Sequence, residues 1–111
     1  MKFKVNGNKW SIERTDGVSL KHHYNSTHED KTQYVFGLCD FIHHTIYINE
    51  DVCFDQQLHT LKHELAHCWI FSIGCYYADL NEEMVCDIIS TSNDFINEVV
   101  EKYKNTYEKR S

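Results

Sequence analysis

The run Thr60-Leu61-Lys62-His63-Glu64-Leu65-Ala66-His67-Cys68-Trp69-Ile70 holds two imidazoles four residues apart, with a carboxylate directly after the first. On an α-helix, residues i and i+4 lie one turn apart on the same face, so His63 and His67 can offer nitrogens to one metal ion, zinc first among them. Glu64 then sits beside the open coordination position, where a carboxylate can take a proton from an attacking water. That is hydrolytic chemistry. The chain has eight histidines, and by composition alone such a five-residue pattern turns up in roughly one chain in twenty. Its setting weighs against accident, because Leu58, Leu61, Leu65, Cys68 and Trp69 recur at helical spacing and give the motif a helix with a face to bury.

A tetrahedral zinc held by two histidines wants a third protein ligand. Asn81-Glu82-Glu83-Met84-Val85-Cys86-Asp87 opens a second amphipathic pattern and offers carboxylates four apart. Glu83 is preferred, because Asp87, one turn on, can accept a hydrogen bond from a ligand imidazole, whereas Glu82 would have Cys86 there. The competing explanation is that Glu82 and Glu83 simply favour the positive end of a helix dipole. His59 precedes His63 by four and can pair with it, but lies two turns from His67; Glu64 favours the His63 and His67 frame, which also supplies a base.

His63-Glu64-x-x-His67 with Glu83-x-x-x-Asp87 resembles the gluzincin branch of zinc metallopeptidases. With the preceding Tyr34-Val-Phe-Gly37-Leu-Cys-Asp40 and Thr45-Ile-Tyr-Ile-Asn49, the chain looks like the small phage and bacterial peptidases related to the ImmA/IrrE family, over about residues 32 to 90. The resemblance implies His63, His67 and Glu83 as zinc ligands, Glu64 as general base and Asp87 as partner of His63. It also implies an edge strand beside the active-site helix that pairs with an extended substrate backbone, and substrates that are proteins, such as phage or host regulators. Larger gluzincins carry an asparagine where this chain has Glu82. Every histidine precedes residue 68, so no downstream imidazole is at hand for an oxyanion.

The remaining elements must position these groups. Phe3 to Ile12 alternates apolar and polar residues around Asn6-Gly7, predicting a hairpin with Phe3 opposite Trp10, an apolar face of Phe3, Val5, Trp10 and Ile12, and a polar face of Lys2, Lys4, Lys9 and Glu13. Residues 15 to 31 read as a loop with one short helical turn; His22, His23 and His28 in it are expected to be solvated rather than a second metal site. Tyr34 to Leu38 and Thr45 to Ile48 read as strands, with Ile46 and Ile48 inward and Thr45 and Tyr47 outward or the reverse. His43 and His44 are expected to mark a turn.

The motif helix is predicted from an Asp55 N-cap to about Ile73, with Gly74 as a left-handed stop, and the second helix from Asn81 to about Lys104 with a kink or break at Ser90-Thr91-Ser92-Asn93. Tyr103 and Tyr107 come late enough to reach back as electrophiles, though core packing is the stronger expectation. The fold expected is one domain spanning 1–111: α+β and zincin-like, a small antiparallel sheet packed on two helices that share a zinc ion.

A length of 111 residues with 41% hydrophobic composition suits one modest core. The net charge of -6 argues against nucleic-acid or acidic-membrane binding, although residues 1–25 hold five Lys or Arg against two carboxylates. No apolar run serves as a signal peptide or membrane span, so a cytoplasmic location, in a bacterial or phage-infected host cell, is expected. The five cysteines contain no CxxC pair and are expected as free thiols, with Cys68 and Cys86, which flank ligand positions, as small buried hydrophobes rather than metal ligands. The function expected is zinc-dependent hydrolysis of a protein or peptide substrate. The alternative is a zinc-stabilised protein-binding module without turnover.

Overall fold

The structure, a computed structural model, describes residues 1–27, 35–74 and 79–108. Strands β1 (Lys2–Val5) and β2 (Asn8–Thr15) form the expected hairpin with Phe3 opposite Trp10. Asn6 and Gly7 both take positive φ, 47° and 84°, the twist a two-residue hairpin loop requires. Phe3, Val5, Trp10 and Ile12 are buried, and Lys2, Lys4, Lys9 and Glu13 are exposed.

Where a loop is expected after β2, the chain forms helix α1 (Gly17–Thr27). Asp16 starts it by accepting the Ser19 backbone N–H at 2.8 Å and the Ser19 hydroxyl at 2.9 Å. Leu20 is its one fully buried side chain among those described, so the helix has too thin an apolar stripe to stand out by periodicity. His28 lies outside the described residues.

β3 (Gly37–Asp40) follows the expected strand in part; Tyr34 lies outside the described residues. β4 (Thr45–Asn49) pairs antiparallel with β3 and parallel with β2, giving the order β1-β2-β4-β3. The sheet is therefore mixed, not antiparallel throughout. The crossover through α1 brings β3 in against the direction of β2, and the 41–44 turn then sends β4 back alongside β2, which only a crossover connection permits. His43 and His44 lie in that turn, His44 at φ 49°.

Helices α2 (Phe54–Ser72) and α3 (Glu82–Tyr107) cover one face of the sheet. Ile46 and Ile48 join the hairpin's apolar side chains against Leu61, Leu65 and Cys68 of α2 and Val99, Val100 and Tyr103 of α3. On the other face Leu20, Val35 and Leu38 pack with Tyr24 and Tyr47. Neither face of β4 is thus fully exposed: Thr45 is buried, its hydroxyl beside Ser11 and the His43 carbonyl, and Tyr47 is partly buried where Leu20 and Tyr24 of α1 lie over the side that pattern alone leaves open.

Cys53, without a side-chain hydrogen bond, occupies the α2 N-cap, and Asp55 falls in the first turn instead. Buried Gln57 anchors this end: its amide donates to the carbonyls of Glu50 and Val52 and accepts the Tyr103 hydroxyl at 2.7 Å. Gly74, at φ 75°, ends the helix as expected. Asn81 caps α3 by accepting the Met84 N–H, and the helix continues unbroken past Ser90. The hydroxyls of Ser90 and Thr91 bond back to the Asp87 carbonyl rather than opening the helix. No helix among the described residues is long and apolar enough to cross a membrane.

Candidate metal centre

The inward stripe of α2 is Gln57, Thr60, Leu61, Glu64, Leu65 and Cys68, one or two residues per turn. A carboxylate therefore stands where the helix meets the sheet. Glu64 is 8% exposed. It borders two cavities along the α2 and β3 seam, one of about 480 Å³ with His59 and His63, the other of about 370 Å³ with Cys39, Phe41 and His67. Burial disfavours the ionised form and pushes the Glu64 carboxyl up to about 7.

His63 and His67 stand on the exposed rim one turn apart, with ring centroids 4.9 Å apart and planes at 78°. Their Nε2 atoms approach to 3.2 Å. Two nitrogens on one tetrahedral zinc, each bonded at about 2.0 Å, are about 3.3 Å apart, so the pair already spans one edge of such a site. Burial, and then the neighbouring His63, lower the pKa of His67, which keeps its ring neutral and its lone pair available near neutral pH. In this donor set the two imidazoles fit zinc.

The third donor is not assembled with them. Glu83 and Asp87 lie on exposed positions in the first turns of α3, and no hydrogen bond or ion pair joins either carboxylate to His63 or His67. Among the described residues no group of three His, Cys, Asp or Glu is placed to hold a metal ion. Tyr103 is fully buried on Gln57, and Tyr107 packs under the Arg14 guanidinium at 4.8 Å, so both serve packing. His43 holds Asp40 at 2.8 Å, His23 stands beside Tyr47 at 5.0 Å, and His22 is exposed.

Three features of the site escape sequence reasoning. Gly37 lies where α2 comes closest to the sheet: a Cβ there would be 2.5 Å from Thr60 Cγ2 and 3.3 Å from Glu64 Cγ. A glycine inside a strand signals such an approach, without naming the partner. Tyr24 of α1 borders both cavities, although nothing in its surrounding sequence marks it. Cys39 on β3 meets Cys68 on α2 with the sulfurs 3.6 Å apart, the hydrogen bond between them and burial holding the Cys68 thiol well above the usual range. Cys86, expected to be buried, is exposed, and Cys75 lies outside the described residues.

β3 is the sheet edge beside α2. Asn49 N–H donates to the Phe36 carbonyl at 2.9 Å, so by antiparallel alternation the main-chain groups of Gly37 and Cys39 face away from β4, toward the open edge. Comparison with protein-family models, curated proteins and solved structures finds no match to this chain.

Proposed function

We propose that the protein is a zinc-dependent peptidase, in keeping with the resemblance to the gluzincin and ImmA/IrrE type and to a zincin-like fold. The observation that carries it is the 3.2 Å approach of the His63 and His67 Nε2 atoms on the rim of a cavity that the buried Glu64 also lines. His63 and His67 hold the ion, and Glu83 is the third donor, with Asp87 supporting His63. Zinc, when bound, supplies a Lewis acid for the scissile carbonyl and a more acidic water. Glu64, with its pKa near neutrality, takes the proton of the attacking water and passes it to the leaving amine, a role for which a pKa of about 7 is well placed. An extended substrate lies along β3, its main chain meeting the outward groups of Gly37 and Cys39, which binds peptide with little demand on sequence. Protein regulators of a phage or its host are the substrates that the resemblance suggests.

The zinc-stabilised binding module is the second reading, favoured by the histidine pair having no third donor placed with it among the described residues. Both predict roughly one zinc per chain in untagged protein by elemental analysis, lost in His63→Ala and His67→Ala. They part at Glu64→Gln. If the chain is a peptidase, this variant keeps its zinc and its fold while cleavage of an unstructured protein substrate falls about a hundredfold or more. If it is a binding module, wild type shows no zinc-dependent cleavage for the substitution to remove. A wild-type chain without zinc overturns both.

A further inference from the structure

We propose that Cys39 and Cys68 form a modification site, a thiol pair that a peroxide or a small-molecule disulfide converts into an intramolecular disulfide, fastening the edge strand to the motif helix. Alternation along β3 turns Gly37 and Cys39 toward α2 and Leu38 toward α1. Cys39 thereby borders the 370 Å³ cavity, where a small oxidant reaches it, while Cys68 lies fully buried behind it. The sulfurs are 3.6 Å apart, so bonding at about 2.05 Å needs them to close by only ~1.5 Å. The other described cysteines, Cys53 and Cys86, are exposed, and no contact joins either to this pair.

With a peroxide, the Cys39 sulfur attacks one oxygen. The O–O bond breaks, an S–O bond forms, and water leaves with the thiol proton. Cys68 sulfur then displaces that oxygen from Cys39. The S–O bond breaks, the S–S bond forms, and the leaving hydroxide takes the Cys68 proton as a second water. Two thiols are oxidised and one peroxide is reduced. With a small disulfide, two exchanges give the same bond and release two small thiols. The link needs neither metal nor substrate, so it stands or falls apart from the hydrolytic reading. Its effect is mechanical: it fixes the spacing between β3 and the helix that carries His63, Glu64 and His67.

The test exposes the dilute full chain to equimolar hydrogen peroxide, and separately to oxidised glutathione. Free thiols are then alkylated under denaturing conditions and the chain is mapped by mass spectrometry without reductant. The expected product joins the Cys39 and Cys68 peptides within one chain, leaves Cys53 and Cys86 alkylated, reverts with dithiothreitol, and raises Tm by on the order of 10 °C. Cys39→Ser removes both the linked peptide and the Tm rise. Cys68→Ala does the same, and should that variant fail to fold, Cys39→Ser alone carries the control. Recovery of Cys39 as a sulfinic acid or a glutathione adduct with Cys68 still alkylated overturns the proposal, as do links only to other cysteines or other chains.

Discussion

Glu64 carries its own pH signature. Its carboxyl titrates near 7 in the folded chain against an ordinary value of 4.5. At pH values below the ordinary one the group is protonated in both states, and burial costs no proton. Between the two values the unfolded chain releases the proton and the folded chain retains it, so stability falls as pH rises. Above the folded value the full penalty is in place, up to about 3 kcal/mol. His67 acts oppositely: with its pKa lowered from 6.5, it weakens the fold as pH falls through that ordinary value. Metal-free Glu64→Gln lacks the first effect and keeps the second. In thermal melts from about pH 5 to about pH 8, its Tm relative to metal-free wild type should rise steadily, and a gap that stays constant would contradict the assigned burial of the charge. The motif behind this was legible from spacing because a single helix fixes the i, i+4 relation. The burial of Glu64 was not, since it depends on what docks against that helix.

At the scale of elements, what docks is β3, and Gly37 sets how closely. Its backbone is ordinary strand, so alanine there is limited by space alone. The added methyl meets Thr60 Cγ2 at 2.5 Å, the Tyr47 carbonyl oxygen at 3.2 Å and the Glu64 side chain at 3.3 Å, and the first of these is by far the tightest. Gly37→Ala should cost about 1–3 kcal/mol by overpacking, read from chemical denaturation. Thr60→Ser removes the methyl that clashes and retains the hydroxyl that accepts from Gln56. Combined with Gly37→Ala it should recover more than half of the loss, whereas additive losses would place the strain elsewhere. The hairpin was readable because Asn6-Gly7 and the alternation around it point to the same register. α1 and the parallel pairing of β4 were not. One buried leucine does not make a visible helical period, and strand direction follows from that unseen crossover.

At the scale of the whole molecule, α3 is held against the core over only part of its length. Its C-terminal half is sealed into the core by Val99, Val100 and Tyr103, while toward its N-terminus Val85 and Ile89 are 39% and 63% exposed. The sequence shows an apolar stripe on both sides of Ser90-Thr91-Ser92-Asn93, and periodicity alone does not tell that only its later part finds a partner. For the same reason it shows that Glu83 and Asp87 share a face without showing whether that face reaches another helix. Amide exchange separates the possibilities. In zinc-free protein, residues 84–91 should exchange faster than residues 96–104, because backbone beside few buried contacts opens at lower free energy. If Glu83 is the third donor, adding zinc ties the start of α3 to α2 and slows exchange in both 60–68 and 84–91. In Glu83→Gln the second of these effects should disappear, and zinc should bind at least tenfold more weakly. Zinc that protects only 60–68 in wild type would remove Glu83 from the ligand set and leave the histidines to share the ion with water or with a donor from a bound partner.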